Sequence, residues 1–289
     1  MSFCSRVSLA AHEQTAGTAV RGQAYVFLPV PKRLWHETEM NAHWAAPQEI
    51  AAVRHARKAE VVTRLYNPPP AGTAAESAPI LVHAAAGRTP EGLEPLLAGF
   101  AGRWPIEADP RPRLAICTHG TRDRCCAKFG FAAFQAAKRL YEAGESAFEP
   151  IECSHLGGDR FAATGIFFPS GGMYAHLDAA DLGALCRTEA SGRLGVANYR
   201  GGVFDAPLDQ LVRAGLARLA LVEEANAPIS LTRRSHLELD AEVGGRRFRV
   251  HLREAQVEFY GSCSAMAAAR PSRGRRTVFD RAEPAPPQA

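Results

Sequence analysis

Residues 113–130 read RLAICTHGTRDRCCAKFG and join a predicted strand to a predicted helix. The apolar run that ends at Ile116 is typical of a buried strand. Cys117 ends this strand, and Cys126 lies near the start of the helix, after eight intervening residues. A loop between such ends can enclose a metal centre, and soft thiolates select zinc, copper or iron–sulfur clusters. The stretch therefore predicts an α/β fold with a metal or redox site at the end of a strand.

A second stretch, SHLGGDRF (residues 154–161), supplies a histidine after the next predicted strand. His155 is a candidate ligand because imidazole suits zinc and iron. Cys153 precedes it by two residues, so the two side chains face the same way if the strand continues. His119, two residues after Cys117, is another candidate. Together with Cys117, these three residues leave open a tetrahedral zinc site.

Predicted strands and helices alternate on both sides of residue 108. Residues 108–200 give the order β, α, β, β, β, α, with a hairpin turned at residues 170–172, which is close to a thioredoxin-like layout. Residues 1–107 give the order β, α, β, β, α and suggest a degenerate domain of related type. A proline-rich stretch, residues 101–113, indicates the boundary. The predicted fold class is therefore α/β, with a mixed sheet flanked by helices in the thioredoxin-like domain.

The C-terminal part of the chain predicts simpler structure. Residues 201–269 read as a helix followed by an antiparallel hairpin, because polar and apolar residues alternate on both sides of Gly244 and Gly245. Residues 270–289 are rich in arginine, proline and alanine and have few apolar anchors. This composition predicts a disordered basic tail.

Composition limits the classes of function. The 289 residues are 46% hydrophobic and 22% charged, as in ordinary folded proteins, and the net charge of +4 does not indicate a nucleic-acid partner. We expect no membrane partner, because no stretch reaches the roughly 18–20 apolar residues of a membrane helix and the N-terminus lacks a signal-peptide core. The sequence therefore predicts a cytoplasmic protein. Seven cysteines are too few for a disulfide scaffold, which favours free thiols or ligands.

The two cysteine- and histidine-containing stretches together resemble a known family. CTHGTRDRCCAKFG and CSHLGGDRFAATGIFFPSGGMYAHL are similar to the sucrase/ferredoxin-like family, whose redox domain resembles the thioredoxin-like [2Fe-2S] ferredoxins. The resemblance covers residues 113–190 and extends more loosely over the first hundred residues. It implies the thioredoxin-like fold and a [2Fe-2S] cluster as cofactor.

The resemblance also implies a set of ligands. Family members with a recognised cluster hold it on two cysteines separated by eight residues and on two histidines of an H-x-G-G-H run. Cys117 and Cys126 match the cysteine pair, and His155 matches the first histidine. Asp159 stands where the second histidine would be, so the implied fourth ligand is a carboxylate, and Cys153 or His119 is the alternative. The remaining cysteines have no metal-like spacing: Cys125 is interpreted as an apolar filler or spare thiol, and Cys4, Cys186 and Cys263 as incidental.

Three functional classes follow. The first is a one-electron carrier that holds a [2Fe-2S] cluster and serves a redox partner protein that the sequence does not identify. The second is a thiol-based oxidoreductase, although the usual C-x-x-C motif is missing. The third is a zinc-binding or metal-free interaction module. The sequence favours electron transfer over a substrate-specific enzyme and shows no paired carboxylates that would indicate glycoside hydrolysis.

Overall fold

A computed structural model describes residues 2–36, 44–68, 78–85 and 89–285. The helices are α1 (Cys4–Ala10), α2 (Pro47–Lys58), α3 (Leu93–Phe100), α4 (Phe131–Glu142), α5 (Leu182–Ala190), α6 (Pro207–Arg218) and α7 (Cys263–Ala267). The first strands are β1 (Ala24–Pro29), β2 (Val61–Tyr66), β3 (Ile80–Ala84), β4 (Ile106–Ala108), β5 (Arg113–Cys117), β6 (Glu149–Cys153) and β7 (Gly165–Phe168). The others are β8 (Gly172–Tyr174), β9 (Tyr199–Gly202), β10 (Ile229–Arg233), β11 (Glu238–Val243), β12 (Arg246–Phe259) and β13 (Ser272–Pro284).

A nine-stranded mixed sheet in the order β4-β3-β1-β2-β6-β5-β7-β8-β9 forms the centre of the protein. Its strand β5 is buried on both faces because its residues alternate between two cores. Leu114 and Ile116 pack with Ala133 of α4 on one face. Ala115 and Cys117 belong to the core on the other face. The predicted α/β class, with a mixed sheet flanked by helices, is confirmed.

The two halves of this sheet repeat one arrangement. In the first half, β1 pairs in parallel with β2 and antiparallel with β3. In the second half, β5 pairs in parallel with β6 and antiparallel with β7. The halves meet where Tyr66 of β2 pairs antiparallel with Cys153 of β6. The strands on both sides of residue 108 share one sheet, and both the duplication and the domain boundary there stay predictions.

A second, antiparallel sheet has the order β10-β11-β12-β13. Its hairpin between β11 and β12 turns at Gly244 (φ +56°) and Gly245 (φ +76°), as predicted, since both residues adopt left-handed backbone conformations. Helix α6 packs against β10 and β13 of this sheet and against β9 of the nine-stranded sheet, so it connects the two sheets.

The prediction of a disordered tail is wrong for residues 272–284. These residues form β13, which pairs along β12 from Phe259 to Phe248. Val278 is buried, and Phe279 packs closely against Gly215 of α6, so two apolar side chains anchor the strand. Arg273, Arg275 and Arg281 pair with acidic residues of β12 and β13, which offsets the repulsion among the arginines. Residues 286–289 lie outside the described part of the chain. In that part, no helix has the length and apolar composition needed to span a membrane.

Candidate metal centre

The turn after β5 brings the two predicted cysteine ligands together. A short π-helical segment, Cys126–Gly130, precedes α4 and packs directly on the end of β5. A Cβ atom on Gly130 would lie 2.0 Å from the carbonyl oxygen of Cys117, so this approach requires glycine. The Cys117 and Cys126 thiols interact electrostatically, and only 2% and 3% of their surfaces are exposed. The sequence prediction that these two thiols share a site is consistent with this geometry.

The loop after β6 brings His155 and Asp159 to the same place. Gly157 (φ +93°) and Gly158 (φ +77°) adopt left-handed conformations that fold the loop back on itself. His155 Nδ1 then lies 2.9 Å from Asp159 Oδ1, and the same oxygen lies 3.8 Å from Cys126 Sγ. Asp159 therefore contacts both the histidine and one of the cysteines.

The charges of the four groups depend on one another. The neighbouring Cys126 thiol, together with His155, holds the pKa of the Cys117 thiol well below its usual value despite burial. The neighbouring Cys117, reinforced by burial, raises the pKa of Cys126. Burial acts to lower the pKa of His155, but Asp159 and Cys117 outweigh it and raise that pKa to about 9. Burial likewise opposes, but does not prevent, the lowering of the Asp159 pKa by His155. The shifts are therefore in opposite directions for the two thiols, and the charged forms of His155 and Asp159 are favoured together.

A buried arginine holds the glycine loop in place. Arg200 of β9 is 2% exposed, and its Nη1 donates to the carbonyl oxygen of Gly157 at 2.8 Å. Its Nε donates to Thr18 Oγ1 at 3.0 Å, and its guanidinium lies 5.0 Å from the centre of the Phe161 ring. Burial lowers the pKa of Arg200 to about 9. The loop between His155 and Asp159 is thus held by β9, an edge strand of the sheet.

Comparison with known proteins identifies the family. A family model described as sucrase/ferredoxin-like matches residues 6–201, which is more than half of the chain. The chain belongs to the sucrase/ferredoxin-like family. Searches of curated proteins and of solved structures each gave no match. The matched region contains all four predicted ligands and almost all of the nine-stranded sheet of this sucrase/ferredoxin-like protein.

The two alternative fourth ligands lie beside the site of this family member. His119 Nδ1 accepts a hydrogen bond from the backbone N–H of His155 at 3.2 Å, and its ring packs edge-to-face on Trp35. Cys153 is the direct neighbour of Cys117 across parallel strands, so both side chains leave the sheet on one face. Asp159, in contrast, contacts both His155 and Cys126. The fourth ligand stays a prediction, and Asp159 is the candidate that these contacts favour.

The donor chemistry of the four residues is compatible with a [2Fe-2S] cluster. Cys117 and Cys126 would supply two thiolates, and His155 and Asp159 would supply an imidazole nitrogen and a carboxylate oxygen. Gly157 and Gly158 add no side chains between the pairs. The donor set also suits zinc, because zinc binds thiolate, imidazole and carboxylate.

Sequence reasoning missed a second group of thiols. Cys4, Cys125 and Cys263, which were interpreted as incidental or as filler, converge with Asp123 in the interior. Cys4 and Cys263 are 259 residues apart, and Cys125 is far from both, so no local spacing could reveal the group. The only local signal was the adjacent pair of Cys125 and Cys126, because neighbouring residues on a helix point in different directions and can serve two sites.

Proposed function

We propose that this sucrase/ferredoxin-like protein is a one-electron carrier with a [2Fe-2S] cluster on Cys117, Cys126, His155 and Asp159. The proposal rests on one observation: a buried thiol pair is in direct contact with a histidine–carboxylate pair. When bound, the cluster would supply reversible one-electron reduction. The cytoplasmic location, predicted from the lack of a membrane-helix or signal-peptide pattern in the sequence, remains part of the proposal.

The exposed fractions of the site residues suggest where a redox partner would approach. The His155 side chain is 22% exposed, whereas both cysteines are almost fully buried. Arg122 lies at the surface beside Asp159, with its Nε 3.7 Å from Asp159 Oδ2. The exposed imidazole of His155 is therefore the point at which a partner protein would contact the site. Electron transfer at such a point needs contact between surfaces and no substrate cavity.

Thiol chemistry at Cys117 is a second candidate. The low pKa of Cys117 and its contact with His155, which in turn is paired with Asp159, resemble the arrangement of an activated nucleophile. The 2% exposure of Cys117 argues against this function, since a thiol substrate would need access to the sulfur. Electron transfer has no such requirement, and we therefore favour it.

Metal and sulfide analysis of the full-length chain, purified without oxygen, tests the proposal. We expect about two irons and two sulfides per chain and a paramagnetic signal after reduction. Cys117→Ser and Cys126→Ser should each lose both iron and sulfide. Cys186→Ser is the matched control, because Cys186 is a buried cysteine of the other core. Full iron and sulfide content in both site variants would contradict the ligand assignment, and rapid turnover of a disulfide substrate by iron-free protein would favour thiol chemistry.

A further inference from the structure

Three thiols from distant parts of the chain form a closed triangle. Cys4 is the first residue of α1, Cys125 lies just before the π-helical segment, and Cys263 is the first residue of α7. The sulfur of Cys125 lies 3.5 Å from that of Cys4 and 3.2 Å from that of Cys263. The sulfurs of Cys4 and Cys263 are 3.6 Å apart. All three side chains are buried, with at most 3% of each residue exposed.

A carboxylate completes the group. Asp123 is 5% exposed, and its ligand oxygen and the three sulfurs all lie within 4.8 Å of one another. Asp123 Oδ1 accepts the backbone N–H of Cys125 at 2.8 Å, and Oδ2 accepts that of Cys263 at 2.7 Å. These hydrogen bonds orient the carboxylate, and each oxygen retains a second lone pair. The four donors are therefore fixed in place by the backbone segments that carry the thiols.

The size of the triangle distinguishes a metal site from a disulfide. Zinc–sulfur bonds of about 2.3 Å at tetrahedral angles separate two sulfurs by about 3.8 Å. The observed separations of 3.2–3.6 Å need outward shifts of only a few tenths of an ångström. A disulfide would require the closest pair to approach to about 2.05 Å and would leave one buried thiol unused.

We propose that Cys4, Cys125 and Cys263 bind a structural zinc ion, with Asp123 as the fourth donor. Three soft thiolates and one carboxylate are a zinc donor set, and four protein donors leave no open position for chemistry. Cys4 and Cys263 lie outside residues 6–201, so the family match does not contain this site. The site is also separate from the proposed cluster, although the two have adjacent residues, Cys125 and Cys126.

The zinc ion would tie three segments together behind the cluster site. It would join α1, the turn that carries Cys126, and α7, which lies between β12 and β13. Because only the folded chain brings these donors together, the binding free energy of a structural zinc adds to the folding free energy. The zinc would therefore stabilise the whole fold and hold Cys126 in position.

Zinc analysis of the full-length protein tests this proposal. We expect about one zinc per chain in the wild type. Cys263→Ser and Asp123→Asn should reduce zinc content, the first by at least tenfold, and should lower the midpoint of thermal unfolding. Cys117→Ser should keep its zinc while it loses iron, and Cys186→Ser should keep both. Zinc and iron are measured separately, so the zinc result can be interpreted even if the cluster assignment fails.

Other outcomes would overturn the zinc site. Wild-type protein that contains negligible zinc after incubation with zinc under reducing conditions would refute it, whether or not the variants fold. A thiol titration in denaturant that finds two thiols fewer than the seven cysteines would indicate a disulfide instead. Zinc content that is equal in the wild type, Cys263→Ser and Asp123→Asn would place the metal elsewhere.

Discussion

His155 Nδ1 and Asp159 Oδ1 lie 2.9 Å apart across a turn made by two glycines. By the family resemblance, Asp159 stands where the second histidine of an H-x-G-G-H run would be, and its side chain contacts both His155 and Cys126. These contacts place the Asp159 carboxylate at the candidate site.

Replacing Asp159 by histidine should strengthen the centre and raise its reduction potential. The carboxylate is a hard, negatively charged donor, which suits iron–sulfur chemistry less than imidazole does. A neutral imidazole makes the cluster less negative, and centres with two histidines reach about −150 to +300 mV. We expect Asp159→His to bind iron more tightly and to be reduced at a higher potential than the wild type, as measured by a redox titration.

Removing the Asp159 carboxylate tests the fourth ligand. Asp159→Ala should lose most of the iron, whereas the control Asp178→Ala, at an exposed position, should keep it. An unchanged spectrum and potential in Asp159→His would instead direct attention to Cys153→Ala and His119→Ala.

Gly130 should be intolerant of any side chain. A Cβ atom there would meet the carbonyl oxygen of Cys117 at 2.0 Å, and both are backbone positions that cannot rotate away. We expect Gly130→Ala to lower the free energy of unfolding by about 2–3 kcal/mol and to separate Cys126 from Cys117. Gly102→Ala is the control, because nothing lies within 4 Å of its added Cβ. Urea unfolding and iron content measure both effects, and equal stability of the two variants would contradict this packing argument.

The sequence predicted the strand–turn–helix around Cys117 because apolar runs, loop residues and helix periodicity are local signals. It could not predict β13, since Val278 and Phe279 are isolated apolar residues. Only the tertiary fold shows that Val278 is buried and that Phe279 packs against Gly215 of α6. The Cys4–Cys125–Cys263 group was missed for the same reason, because only the tertiary fold brings those thiols together. At the candidate centre, the family resemblance named Asp159, and its distances to His155 and Cys126 came from the structure.

Arg200 should be irreplaceable by lysine. Its planar guanidinium bridges Gly157 and Thr18 at once, and an ammonium group cannot reproduce that fork. We expect Arg200→Lys to lower stability by about 2–4 kcal/mol and to reduce iron content, since the loop that carries His155 and Asp159 loses its anchor. Arg193→Lys, at an exposed position, should change neither quantity. Wild-type iron content in Arg200→Lys would show that the loop holds its shape without this anchor.

His83 should make the fold sensitive to mild acid. Its ring stacks on Phe168, with ring centres 4.1 Å apart, and burial lowers its pKa to about 4. An unfolded chain protonates histidine near pH 6.5, so between about pH 6.5 and 4 the unfolded state binds more protons than the folded state. Stability from the neutral ring is therefore fully present above about pH 6.5 and decreases by about 3 kcal/mol as the pH falls towards 4.

Replacing His83 by phenylalanine should preserve the stack and remove this part of the pH dependence. Urea unfolding at several pH values between 7 and 4 would measure it, and the difference from the wild type cancels the contribution of carboxylates common to both proteins. His55→Phe, at an exposed position of α2, controls for the loss of one histidine. If His83→Phe and the wild type lose stability equally over this range, His83 is not the acid-sensitive group of this core.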